Sequence, residues 1–243
     1  MDEQQTNLRE MLATNIAAVR AAIAEAAQEA GRDVDEITLV AVSKTKPVEM
    51  VKIAYNLGVT DFGENRVQDA LPKIAEFHPA GLRWHMIGHI QSNKVNKIVG
   101  QFDSVQSVDS LHLAQLLQRH AAELGIRLPV LLQVNVSGEE SKEGIALADA
   151  LAVARQIVAL PQLDVQGLMT IAPLVKDTEE VRPVFRGLRA LRDRLRDELP
   201  QCSWQHLSMG MTDDYTVAIE EGATIVRIGR AIFGERMHRG DKQ

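Results

Sequence analysis

The 243-residue chain is 45% hydrophobic and carries a formal charge of −6 at neutral pH, enough apolar content for one α/β barrel or two small domains and a balance that argues against general affinity for nucleic acid or an anionic membrane. Its one cysteine, Cys202, excludes a disulfide framework and a cysteine zinc site. The polar start MDEQQTNLRE is unlike a signal peptide and no apolar run is long enough to cross a bilayer, so a cytoplasmic location is expected.

Leu8, Leu12, Ile16, Val19 and Ile23 recur at spacings of three and four, which predicts a leading amphipathic helix within 1–31, ended by Gly31. ITLVAVSKTKPVEM follows, residues 37–50, opening on an apolar run of the kind that builds a strand covered on both faces. Pro47 keeps Lys46 out of helical geometry and suits the first turn of a helix. Lys44 therefore falls at the carboxyl end of a buried strand and Lys46 in the turn beyond it. Further short apolar runs lie in TDFGE, RWHMIG, DSVQSV, PVLLQVNV, DVQGLM, WQHLSM and TIVRIG. Helical patterns separate them at 47–57, 66–77, 91–99, 110–124, 147–159, 177–198 and 213–221, with a short one after Gly229. In the sixth, Phe185, Leu188, Leu191 and Leu195 form the apolar stripe, while arginines alternate with Asp193, Asp197 and Glu198 on a solvated face. Eight strand–helix units without hairpins imply parallel strands closed into a (β/α)8 TIM barrel, one domain over 1–243. A doubly wound open sheet fits less well, because no G-x-G-x-x-G follows the first strand.

Such barrels work at the carboxyl ends of their strands, and phosphate commonly binds in the loops after strands seven and eight. Gly210 and Gly229 stand directly after those strands, before helical starts, and Ser208 adds a hydroxyl, a pattern that reads as a phosphate cradle. Lys44, Asn65, His85, Gly88 and Arg227 collect at the same end. Arg227 interrupts the apolar strand TIVRIG and cannot shed its proton, so it needs an acceptor nitrogen, a phosphate or a carboxylate such as Glu64. A lysine beside a phosphate cradle suits a Schiff-base aldolase acting on a phosphosugar or a lysine holding pyridoxal phosphate, and spacing leaves both open. His85 and His89 are four apart, but Gly88 and the strand context oppose a helical metal pair, and no metal site is expected.

LVAVSKTKP, FGENRVQDA, WHMIGHIQSNK, GLMTIAP, LSMGMTDD and EEGATIVRIGRAIFGER, in this order, resemble the pyridoxal phosphate homeostasis protein family. The resemblance runs from about residue 37 to residue 236 and implies a barrel of the alanine racemase N-terminal-domain type that binds pyridoxal 5'-phosphate. By motif, Lys44 matches the Schiff-base lysine and Arg227 the arginine facing the pyridine nitrogen. Ser208, with backbone around Gly210, Gly229 and Arg230, matches the phosphate site, and Asn65, His85 and Met169 match residues lining the cofactor. Thr212 stands where serine is frequent, which preserves the hydroxyl. Arg230 stands where a small hydroxyl residue is common, so its N–H rather than its side chain is the expected phosphate contact. A pyridine nitrogen facing a permanent cation stays unprotonated, which weakens the ring as an electron sink. Racemisation would also need a second acid/base opposite Lys44, and the chain's only tyrosines are Tyr55 and Tyr215. The resemblance therefore implies a non-catalytic protein that buffers or delivers the cofactor, possible partners being apo-enzymes that use it, and a monomer is expected. A weakly active amino-acid racemase is the alternative.

Overall fold

The computed structural model describes residues 3–139 and 142–235. Residues 1–2 and 236–243, the ends of the expected 1–243 domain, lie outside them, as does Arg236 of the last family motif. Its strands are β1 (Thr38–Val42), β2 (Asp61–Glu64), β3 (Arg83–Met86), β4 (Ser104–Val108), β5 (Leu128–Asn135), β6 (Ile145–Ala146), β7 (Leu163–Met169), β8 (His206–Ser208) and β9 (Ile225–Ile228). All pairings are parallel. The order β4-β3-β2-β1-β9-β8-β7-β5, with β4 also on β5, closes eight strands into the expected barrel. The short β6 is the addition: it pairs outside the ring with Val134 and Asn135 at the carboxyl end of β5.

The helices are α1 (Glu3–Glu29), α2 (Val48–Asn56), α3 (Val67–Glu76), α4 (Leu111–Leu124), α5 (Ala150–Ile157), α6 (Arg182–Glu198), α7 (Tyr215–Glu220) and α8 (Arg230–Phe233). Where a helix is expected over 91–99, Ser92–Lys97 instead forms a 3₁₀ run with only Val95 buried. Serine and asparagine there compete for backbone hydrogen bonds. The fifth helix is shorter than 147–159, because Ile145–Ala146 is drawn onto β5.

Two separate apolar regions hold the barrel. The larger lies between its outer wall and the helices, and there α6 buries Phe185, Leu188, Leu191 and Leu195, the stripe read from its spacing. Burying such side chains contributes about 1.5–3 kcal/mol each. The smaller lies inside the bore and consists of Val40, Leu131, Met169 and Ile225, with Ile171 against them. So little apolar material inside leaves room for polar side chains. Leading helix α1 buries Leu12, Ile16, Val19 and Ile23 and packs on α2, α7 and α8. Asn15 Nδ2 donates to Ile232 O at 2.9 Å, and Arg32 Nη1 donates to Ile219 O and Ala223 O, both at 2.8 Å. Thus α1 braces the two short helices that follow β8 and β9.

Candidate functional site at the carboxyl end of the barrel

The β1–β2 register pairs Val42 with Gly63, so Lys44 and Asn65 each lie two residues beyond that pair and face the same mouth. The chain turns sharply between Lys44 and Lys46, with Thr45 at φ 65°, a conformation that a β-branched residue seldom holds. A buried ion pair anchors the turn from below: Lys73 Nζ donates to Glu64 Oε1 and to Ser43 O, each at 2.7 Å, and Ser43 Oγ donates to Glu64 Oε1 at 2.7 Å. Glu64 is therefore engaged by Lys73 and not by Arg227, which corrects the ion pair considered for that arginine. Lys44 itself is half-buried, whereas Lys46 is buried and donates from Nζ to Glu235 O at 2.7 Å. Burial pushes the Lys46 ammonium below its ordinary range, with Glu235 opposing. Asn65 contributes a side-chain oxygen that is buried with no hydrogen-bond partner, an acceptor suited to a donor on a bound molecule.

Across the mouth, β8 and β9 end at the two glycines. Gly210 has φ 91°, and a Cβ there would sit 2.6 Å from Ala218 Cβ and 2.9 Å from Tyr215 Cα, so any side chain would push α7 away. Gly229 caps α8, and a Cβ there would stand 3.2 Å from Val42 O. In the first turn of α8, the Arg230 and Ala231 N–H groups have no intrahelical acceptor. The Arg230 side chain turns aside to Asp213, with Nη2 2.6 Å from Oδ2, which agrees with its backbone being the part that faces the mouth. Lysine amine, unpaired acceptor and glycine-lined amides together fit an aldehyde that carries a phosphate.

The bore holds a polar chain. Arg227 is 4% exposed, and burial lowers its pKa to about 10, with Asp214 pulling the other way. Its Nη1 donates to Ser208 Oγ at 2.7 Å and its Nη2 to Thr170 O at 2.8 Å. Ser208 Oγ in turn donates to Gln106 Oε1 at 2.7 Å, so the hydroxyl expected at the phosphate is engaged inside the bore. Gln106 Nε2 lies 3.3 Å from His85 Nδ1, and His85 Nε2 lies 2.8 Å from Asp61 Oδ1. Asp61 also takes Arg83 Nε at 2.7 Å and Nη2 at 2.8 Å. Burial alone would raise the Asp61 pKa, but hydrogen bonds from His85 and Arg83 hold it well below the carboxylate range.

His85 is not brought to Lys44 and Asn65. Its ring is bound to Asp61 and Ser104, the first residues of β2 and β4, and so points to the amino end of the barrel. Met169 is the last residue of β7 and belongs to the apolar cluster inside the bore. His89 stands apart from His85, its Nδ1 3.3 Å from Asp109 and 3.0 Å from Glu143 at the rim. Those three residues could approach one ion. Tyr215 opens α7 beside Gly210, and burial pushes its phenol up; Tyr55 donates to Ala80 O at 2.9 Å on the barrel's outside. Gln106 and Lys73 have no part in the expectations from sequence. Gln106 interrupts DSVQSV as Arg227 interrupts TIVRIG, and that is the signal that could have found it.

The family model described as "Alanine racemase, N-terminal domain" matches residues 14–237. Proteins named "Pyridoxal phosphate homeostasis protein" are 48% identical over 225 residues in Pseudomonas aeruginosa, covering 93% of this chain and 96% of that one. In Aquifex aeolicus the figures are 44% over 216 residues, 89% and 94%. The solved structure of PipY from Synechococcus elongatus with PLP bound is 38% identical, covers 92% of this chain and 100% of its own, and superposes with a TM-score of 0.82. An alanine racemase from Clostridium difficile shares the fold at 17% identity and a TM-score of 0.73, this chain spanning 58% of that one.

Proposed function

Since the chain belongs to the pyridoxal phosphate homeostasis protein family, we propose that it binds pyridoxal 5'-phosphate at the barrel mouth and buffers or delivers that cofactor inside the cell. The relative solved with PLP bound carries this reading. When bound, the cofactor supplies an aldehyde that condenses with an amine and a pyridine ring that can accept a hydrogen bond. Lys44 offers the amine, and the Ser43–Glu64–Lys73 cluster fixes the turn that presents it. The backbone around Gly210, Gly229 and Arg230 receives the phosphate, with Ser208 behind it in the bore; Asn65 and Met169 line the remaining walls. His85 acts from behind the pocket, through its neighbours. Arg227 spends two donors on Ser208 and Thr170 and has others for the pyridine nitrogen.

We take the role to be holding and releasing the cofactor, not racemisation, a reading supported by relatives named for homeostasis and not for catalysis. The whole chain then acts as one cofactor-binding domain, a cytoplasmic monomer whose recipients are apo-enzymes. Incubation with single L-amino acids followed by chiral chromatography should show no D-isomer; its formation would make the protein an enzyme.

Borohydride treatment of the loaded protein, followed by peptide mapping, should leave a pyridoxyl group on Lys44. A label on Lys46 would overturn the lysine assignment, and no binding at all would overturn the function. Charge-assisted hydrogen bonds to phosphate stabilise by about 1.5–3 kcal/mol each. Calorimetry should therefore find Lys44→Ala still binding pyridoxal phosphate, and unphosphorylated pyridoxal binding wild type far more weakly.

A further inference from the structure

Arg227 is buried in the barrel, and among the described residues no carboxylate forms a salt bridge with it. A cation in that position costs several kcal/mol unless its charge is balanced. With the Gln106 amide oxygen on Ser208 and its nitrogen on His85, the hydrogen bonds around it run in one direction. A guanidinium can only donate, so Ser208 Oγ accepts from Arg227. The single hydroxyl hydrogen of Ser208 is then given to Gln106 Oε1, at 2.7 Å. This turns the Gln106 amide nitrogen toward His85 Nδ1, which must accept from it and from Ser104 Oγ. The imidazole proton consequently sits on Nε2 and is donated to Asp61 Oδ1. Every donor in the chain points the same way, from the cation in β9 to the carboxylate at the start of β2. Aligned hydrogen bonds polarise one another in a medium of low dielectric.

We propose that Gln106 is a positioning residue that couples Arg227 to His85 and Asp61, so that a hydrogen-bonded chain anchored at the amino end orients the guanidinium at the cofactor ring. The inference deepens the reading of Arg227 given above and rests on it for its effect on the cofactor. Other groups face His85 from the surrounding strands: Arg83 beside it on β3, Ser104 and Gln106 on β4, Asp61 on β2 and His206 on β8. Asp61, Arg83, His85, Ser104, Gln106 and His206 share a cavity of about 290 Å³ at the amino end of the barrel. The far end of the chain thus meets solvent on the side opposite the cofactor.

Two variants and two readouts test it. Gln106→Glu keeps an acceptor toward Ser208 and puts a second acceptor where the amide donor faced His85. In the cofactor-free protein, nitrogen-15 NMR should then show His85 Nδ1 moving from the unprotonated to the protonated position. Ser208→Ala, which cuts the chain one link nearer Arg227, should also move the His85 signals. In the loaded protein both variants should shift the cofactor's absorbance maximum and its pH titration, while thermal melts report that the barrel stays folded. Unchanged His85 resonances in both variants would overturn the chain. Changed resonances with wild-type cofactor spectra would overturn its coupling to the ring. Failure of the cofactor reading is distinguishable, since wild type itself would then show no bound-cofactor band while the His85 measurement still decides the chain.

Discussion

Arg227 brings the energetics of the site to one side chain. Its guanidinium is desolvated enough to lower its pKa to about 10, and its partners are a hydroxyl and a carbonyl. Desolvating a single buried cation costs several kcal/mol. Arg227→Met should therefore raise the unfolding free energy of the cofactor-free protein while weakening its interaction with the cofactor ring. Denaturant melts paired with absorbance titrations check both halves. Loss of stability would mean that Ser208 and Thr170 hold the arginine by more than its desolvation costs. The need of Arg227 for a partner can be read from TIVRIG alone. Which partner it finds cannot, because Glu64 and Ser208 lie on two other strands and Thr170 just beyond a third.

At the scale of elements, the turn between β1 and α2 and the two short helices after β8 and β9 build the mouth. The turn stands on the Lys73–Glu64 pair, and one Glu64 oxygen already lacks a partner. Lys73→Met leaves that carboxylate buried and uncompensated, which should cost about 3–5 kcal/mol and lower the melting temperature. Reduced labelling of Lys44 by pyridoxal phosphate and borohydride should accompany it. In contrast, Leu188→Ala on α6 removes packing far from the mouth and should cost about 2–5 kcal/mol without changing cofactor spectra. Helices with a continuous apolar stripe, α1 and α6, are legible because burial follows the 3.6-residue period. The 3₁₀ run at Ser92–Lys97 is not: Val95, Ile98 and Val99 are buried at helical spacing, while the serine and asparagines beside them compete for the backbone hydrogen bonds.

For the molecule as a whole, Asp61 links the inner chain to stability against pH. Its folded pKa lies below its ordinary value of 3.8, so its contribution is complete above that value and fades as pH falls. Wild type should therefore lose part of its advantage over Asp61→Asn between neutral pH and about pH 3. Denaturant melts at several pH values measure it, and a gap that stays constant with pH would remove Asp61 from the acid limb.

The order of eight strands and their helices, the lysine at the end of the first strand and the glycines after the last two follow from sequence, because hydrophobic period and backbone restriction act over a few neighbouring residues. The addition of β6 and the bracing of α7 and α8 by α1 depend on tertiary contact. So does the turning of His85 toward Asp61, away from the mouth it was expected to line. A strand's alternation says which side chains enter the bore; only the stagger of its neighbours decides which end of the barrel they face and whom they meet there.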